Sequence, residues 1–353
     1  MSEHERRLRR GRGATLNPAG RFAKVAYHSE AEAVPDSVAT EVRPERARSI
    51  ISRNQSPDIP FEQSINPYRG CEHGCIYCYA RPSHAYVDLS PGVDFESILF
   101  YKQDAARLLR ETLAKPSYRC SPINFGANTD PYQPIEKRYT VTRDCLEVLA
   151  DVKHPATIIT KGNLILRDID LLAKMARERL MSVTVSLTTL EPDLKRTLEP
   201  RAASPAARLN VIRELSAAGI PVSVLVAPVI PFVNDREIEA IVEAAHDAGA
   251  RWGGYIFLRL PHEVAPLFQD WLETHMPMGA EHVMSLVRAA RHGKEYSSEF
   301  GERMRGSGDY AEMIRKRFRL ACKRSGLNLS PWPEHDCTRF RAPNLSGQQD
   351  LWS

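Results

Sequence analysis

Cys71, Cys75 and Cys78 place three of the chain's seven cysteines within eight positions, in "RGCEHGCIYCYARP" (69–82). Thiolates are soft donors, so thiols this close together point first to a metal. The spacing i, i+4, i+7 also fits one helix face, which would make them small buried hydrophobes. Pro67, Gly70 and Gly74 speak against a helix here. Structural zinc wants four closed ligands, and His73 or His84 would have to supply the fourth. Zinc motifs usually come as paired knuckles, whereas Cys120, Cys145, Cys322 and Cys337 are isolated. An iron–sulfur cluster accounts better for the count. Four-iron clusters normally take four thiolates. Three would leave one iron open to a substrate or cofactor, as a catalytic metal keeps a vacant position. Gly70 and Gly74 let the backbone turn sharply around such a cluster, and Tyr77 can wall it.

Repeating strand–helix units are the elements that must position this loop. The spacing predicts one helix over "ESILFYKQDAARLLRETLAK", with Ile98, Leu99, Leu108, Leu109 and Leu113 on its apolar face. Strands are predicted at 121–128, 156–161, 181–189, 220–230 and 253–260, each but the last followed by a helix. Gly219 and Gly249 stand where helices should stop, and Asp235 where one should be N-capped. The strands are β-branched and apolar on both faces, as in a parallel sheet covered by helices. The expected fold class is α/β, a partial (β/α)6 TIM-like barrel with an N-terminal extension and a C-terminal helical extension. Functional residues should then lie at the C-terminal strand ends, which read "GANTDPYQP", "TKGN", "SLTTLEP", "APVIP" and "LRLP". Residues 1–55 read as a basic, flexible or surface-wrapping extension, 56–262 as the core, and 263–353 as a helical extension and tail.

The chain of 353 residues has no run of 18 apolar residues, so no membrane span is expected, and "MSEHERRLRRGRGA" lacks a secretory apolar segment. A cytoplasmic protein whose cysteines serve as thiols is the expectation. Net charge is only +4, but residues 1–24 carry seven basic residues against two acids, and 303–324 carry eight against two. Such stretches can meet phosphates. The better reading is a basic tail and the solvated face of an amphipathic helix, with Met313, Ile314, Phe318 and Ala321 turned inward. Nucleic acid stays a possible partner.

Cys71-Glu-His-Gly-Cys75-Ile-Tyr-Cys78 resembles the Cys-x3-Cys-x-aromatic-Cys signature of the radical S-adenosylmethionine (radical SAM) enzymes. "NPYRGCEHGCIYCYARPSHAY", "NTDPYQPIEKRYTVTRDCLEVL", "ITKGNLILRDIDLL" and "SLTTLEPDLKRTLEPRAASPAARL" resemble the branch related to spore photoproduct lyase, above all its uncharacterised bacterial relatives. The resemblance implies a 4Fe–4S cluster held by Cys71, Cys75 and Cys78, with SAM chelating the open iron. It further implies reductive cleavage of SAM to a 5′-deoxyadenosyl radical that abstracts hydrogen, with an electron donor such as flavodoxin or ferredoxin. Tyr77 should lie near the adenine. Asn128, Thr129 and Asp130 occupy the place of the contacts to the SAM amino group, although the common Gly-Gly-Glu is missing. Lys161 should pair with the SAM carboxylate, Ser186 and Thr188 should reach ribose or methionine, and Glu199 and Arg201 should clamp SAM. Spore photoproduct lyases also carry a hydrogen-donor cysteine at the end of the second strand. "FGANTD" has none, so thymine-dimer repair is not expected unless Cys337, folded back over the barrel mouth, or a tyrosine such as Tyr132 substitutes, and Cys337 reads better as a free surface or packed thiol. Besides a radical SAM enzyme of unidentified substrate, the alternatives are a nucleic-acid lyase or modifying enzyme, a non-catalytic Fe–S redox or binding module, and a zinc-stabilised nucleic-acid binder.

Overall fold

A computed structural model describes residues 12–22 and 38–344. Its strands are β1 (Glu41–Pro44), β2 (Ile51–Arg53), β3 (Gln63–Ile65), β4 (Tyr68–Arg69), β5 (Ile98–Tyr101), β6 (Ile123–Phe125), β7 (Ala156–Thr160), β8 (Met181–Ser186), β9 (Val222–Val229) and β10 (Trp252–Phe257). The helices are α1 (Asp94–Ser97), α2 (Ala105–Leu113), α3 (Glu136–Tyr139), α4 (Val141–Asp151), α5 (Ile169–Arg177), α6 (Pro192–Leu198), α7 (Pro205–Ala217), α8 (Ile238–Asp247), α9 (Val264–His275), α10 (Ala280–Ala289) and α11 (Gly308–Ser325).

The main sheet has the order β10-β9-β8-β7-β6-β3-β2. Its six consecutive strands from β3 to β10 run parallel, and β2 joins the outer side of β3 in the antiparallel sense. Six parallel strands in sequential order curl into a partial barrel, and β10 does not pair with β2, so the wall stays open. Val183, Val185, Val222, Val224 and Val226 are buried on the middle strands, and one continuous apolar core runs between sheet and helices. Ser204 caps α7 by accepting from the Ala207 N–H at 3.2 Å.

The outer strand β10 is covered from the C-terminal side. Phe318 of α11 packs its ring 5.0 Å from that of Tyr255. The Phe257 N–H donates to the Met304 carbonyl at 2.8 Å. In the same segment, Arg303 holds Asp58 through two hydrogen bonds of 2.7 and 2.5 Å. Asp58 belongs to the β2–β3 connection, so this ion pair links the two free edges of the open sheet.

Three expectations are corrected. The stretch 96–115 is not one helix: Ile98–Tyr101 forms β5, the middle strand of a small sheet ordered β1-β5-β4. The Ile-Leu-Phe-Tyr run satisfies strand pairing on both sides, parallel to β1 and antiparallel to β4, which outweighs the helical spacing around it. Asp235 opens a short 3-10 turn ahead of α8 and accepts the Tyr310 hydroxyl rather than capping the helix. Met313 is 40% exposed, while Ile314, Phe318 and Ala321 of α11 are buried as expected. Residues 1–11, the first half of the basic N-terminus, lie outside the described residues.

Candidate functional site

The cysteine loop leaves the C-terminal end of β3 through β4, at the strand-end face where the fold places its chemistry. Neighbours on every side pin it. The Cys71 N–H donates to the Phe95 carbonyl at 3.0 Å, the Ile76 N–H to Leu198 at 3.0 Å, and the Arg201 N–H to His73 at 3.2 Å. Gln133 accepts the Glu72 N–H at 2.9 Å. Arg81, fully buried, donates to the Cys75 carbonyl at 2.9 Å and to Pro91 and Gly92, and pairs with the equally buried Glu96. Glu96 in turn accepts the N–H groups of Gly13 at 2.8 Å and Ala14 at 2.9 Å. Residues 12–15 thus lie buried against the outside of the loop. The approach is close: a Cβ on Gly13 would sit 1.9 Å from the Gly74 carbonyl oxygen.

Cys71, Cys75 and Cys78 line one cavity of about 190 Å³ together with Tyr77, Asn128, Thr129, Asp130, Lys161 and Ser186. Burial pushes all three thiols above the ordinary thiol range, so a thiolate here needs a cation to stabilise it. Among the described residues, no three His, Cys, Asp or Glu side chains close around a single-ion position. Neither candidate fourth ligand closes with the three thiols around such a position, although His73 also lines the cavity. His73 faces Asp130 at 3.4 Å. His84 is buried with Nε2 2.9 Å from the Ile98 carbonyl and its ring against Phe95. Three sulfur donors spread around one cavity suit a multi-iron cluster, which offers each thiolate its own iron.

A charged network stands behind Tyr77. Lys161 Nζ donates to Ser186 Oγ at 2.6 Å and to the Ala227 carbonyl at 3.2 Å, and lies 3.3 Å from Glu199. Glu199 also pairs with buried Arg208, accepts the Tyr77 hydroxyl, and has Thr188 Oγ1 at 2.6 Å. Burial opposes its charge, but Arg208 and Lys161 overcome that and hold the carboxyl well below the usual range. The same burial, reinforced by Cys75 and Glu199, pushes the Tyr77 phenol well up. Asp130 spends both oxygens inside the protein: it accepts from Thr160 at 2.6 Å, from the Tyr132 N–H at 2.9 Å and from the Lys161 N–H at 2.7 Å. Thr129 donates to the Gly70 carbonyl at 2.7 Å, so it braces the loop as well as facing the cavity.

The sequence-predicted site residues therefore fall into groups. Tyr77, Asn128, Thr129, Asp130, Lys161 and Ser186 come together with the cysteines at the cavity wall. Thr188 and Glu199 lie one layer behind it. Arg201 forms no clamp with Glu199; it reaches Glu72 at 3.0 Å and lines a separate cleft with Lys137 and Arg167. Neither replacement hydrogen donor reaches the cavity. Tyr132 is buried with its hydroxyl 3.1 Å from Asp168. Cys337 sits beside Cys120, on the segment leading into the N-terminal end of β6, because the tail crosses the opposite face of the sheet from the mouth. Along that tail, His335 meets Ser182 at 3.0 Å and the Arg341 N–H donates to the Val152 carbonyl at 2.9 Å. Sequence reading missed Arg208, Arg81, Glu96 and Arg259. The only trace of Arg259 was the polar strand end "LRLP".

Residues 65–245 match the Radical SAM superfamily. The chain belongs to that superfamily. Among its curated relatives, an uncharacterised Mycobacterium tuberculosis protein is 38% identical over 221 residues, covering 62% of this chain and 65% of its own length. An uncharacterised Methanocaldococcus jannaschii protein is 30% identical over 192 residues, covering 54% of this chain and 69% of its own. The chain thus spans 65% of the length of the mycobacterial relatives it matches. Spore photoproduct lyase structures share the fold. A cysteine-to-serine mutant of that enzyme matches with a TM-score of 0.58 at 13% identity, over 81% of this chain and 80% of that one. A complex with dinucleoside spore photoproduct gives 0.57 at 13% identity and the same coverage. Both likenesses are of fold.

Proposed function

We propose that this protein is a radical SAM enzyme that binds a 4Fe–4S cluster through Cys71, Cys75 and Cys78 and acts on a substrate not yet identified. One observation carries the reading: three thiols, Cys71 and Cys75 buried and Cys78 half-buried, share a single cavity with Lys161 and Ser186 at the C-terminal strand ends. When bound, the cluster supplies the electron for reductive cleavage of SAM to a 5′-deoxyadenosyl radical, the species that abstracts hydrogen. This chain's own residues bind, orient and shield. Lys161 presents an ammonium for the SAM carboxylate, a charge-assisted contact. Ser186 fixes that ammonium, and Tyr77 walls the adenine side. Asn128 offers a side chain to the amino group, with Thr129 and Asp130 setting its loop. Glu199 and Thr188 act through Tyr77 and Lys161 rather than by contact. Excluding water is the loop's second task.

No helix among the described residues is long and apolar enough to cross a membrane. We take the protein to work in the cytoplasm with a flavodoxin- or ferredoxin-type reductant. A nucleic-acid substrate is the second reading. The likeness to spore photoproduct lyase, known in complex with a dinucleoside photoproduct, favours it. The β6 end, without a cysteine, counts against thymine-dimer repair itself.

The test is anaerobic reconstitution with iron and sulfide, followed by strong reductant and SAM, with 5′-deoxyadenosine measured by mass spectrometry. The intact protein is expected to form it and Cys75→Ala is not. Zinc filling the site in protein made without oxygen would overturn the reading.

A further inference from the structure

Arg259 follows β10 and lines the same cavity, where Asp130 is the one carboxylate among the lining residues and is already engaged by Thr160 and the Tyr132 and Lys161 N–H groups. Its guanidinium lies 5.1 Å from the ring centroid of Tyr79, the residue after the last cysteine. Its other contacts are long: Nη1 is 3.5 Å from Met304 Sδ and Nη2 is 3.4 Å from the Tyr296 hydroxyl. Its buried Nε has no partner. No carboxylate among the described residues forms an ion pair with it.

A second guanidinium stands close behind. Arg291 is 1% exposed and donates to the carbonyls of Leu258 at 2.9 Å and Arg303 at 3.1 Å, again without a carboxylate partner among the described residues. Burial first, and then the charge of Arg259, lower its pKa to about 10. Lys161 makes the contrast. Its charge is balanced by Glu199 at 3.3 Å, whereas neither Arg259 nor Arg291 forms an ion pair with a carboxylate among the described residues. Strands β8 and β9 separate β7 from β10, so the two cations stand on opposite sides of the cavity.

We infer that Arg259, braced by Tyr79, is the subsite for an oxyanion, a phosphate or a carboxylate, carried by the substrate. A guanidinium fork matches either group bidentately. The inference rests on the proposed function and deepens it: SAM takes the β6–β8 side, and the anionic group of the substrate takes the β10 side. Tyr79, 43% exposed, keeps the aromatic support at the cavity mouth.

The test titrates the reconstituted protein with inorganic phosphate and, separately, acetate by calorimetry at constant ionic strength. Wild type, Arg259→Gln and Arg259→Lys are compared, and SAM affinity is measured for each. One of the two anions is expected to bind wild type at least tenfold more tightly than Arg259→Gln, with Arg259→Lys between them and SAM affinity unchanged. Preference for phosphate or acetate then tells the two substrate chemistries apart. Should Arg259→Gln not fold, Arg259→Lys alone still reports, because it keeps the charge and loses the fork. Equal anion affinity in wild type and variants would overturn the subsite. So would loss of SAM affinity, which would give Arg259 to SAM's own carboxylate. Failure of the proposed function looks different: no 5′-deoxyadenosine, with Arg259-dependent anion binding intact.

Discussion

Glu199 has no exposed surface, yet it stays ionised because Arg208 and Lys161 stand on either side of it. Glu199→Gln would leave Arg208 buried without its counter-charge. Breaking such a pair costs about 3–5 kcal/mol. That loss is expected in anaerobic denaturant unfolding, together with a fall in cluster content. Lys161→Ala should behave otherwise, because Arg208 still neutralises Glu199. Iron content is expected to hold while SAM binding weakens tenfold or more, the scale of a lost charge-assisted hydrogen bond of about 1.5–3 kcal/mol. Unchanged SAM affinity in equilibrium dialysis would remove Lys161 from the site. These roles were unequally legible. Tyr77, Lys161 and Ser186 stand inside the cysteine motif or at strand ends, where position alone nominates them. The true partner of Glu199 did not show itself. Arg208 meets it only because α7 returns over the end of β8, where Arg208 also donates to the Ser186 carbonyl at 3.1 Å. Arg201, adjacent in sequence, looked like the natural partner and turns instead to Glu72.

The cysteine loop is an element without regular structure, and its shape comes from what straps it. The motif "NTDPYQPIEKRY" had suggested ligand contacts, but several of its polar side chains are scaffolding. Gln133 holds Glu72, and Glu136 accepts the Tyr68 hydroxyl, the Thr142 N–H at 2.9 Å and Arg167 at 2.6 Å. From outside, Gly13 and Ala14 complete the brace on Glu96. Gly13→Ala must lift that strap off Gly74, because the added carbon would sit 1.9 Å from a carbonyl oxygen. We expect the variant to fold, with an unchanged circular dichroism spectrum, and to lose iron and sulfide faster during anaerobic gel filtration. Retention equal to wild type would show that the strap is not needed to hold the loop. A surface-wrapping extension was one of two readings of the N-terminus, but its place on Glu96 and the cysteine loop was not readable, since a basic, Gly-containing stretch carries no mark of where it will pack. The strand β5 was hidden for a similar reason: four apolar residues fit a helix face as well as a strand, and only β1 and β4 decide between them.

Taken whole, the molecule buries His84 and His154 completely. Burial lowers the pKa of both His84 and His154 from 6.5 to about 4. The unfolded chain therefore binds protons that the native state refuses. Stability is fully present above about pH 6.5, falls as the pH drops towards 4, and levels off below. Each shift is worth on the order of 3 kcal/mol. Urea midpoints measured between pH 7.5 and 4.5 should fall steeply, and His154→Gln should flatten the slope; parallel slopes would contradict the assignment. At this scale the α/β class and its six parallel strands were legible, because alternating strand and helix patterns are local. The tail was not, because its path past Arg179, Ser182 and Val152 on the far face depends on which surface is left uncovered. The ion pair between Arg303 and Asp58 has a last consequence. A closed barrel can widen only by tearing a run of backbone hydrogen bonds, but here the ring is completed by two side chains. On that flank the girth therefore rests on side chains and on the segment that covers β10, where Met304 accepts the Phe257 N–H and Phe318 packs on Tyr255, rather than on a run of strand pairing.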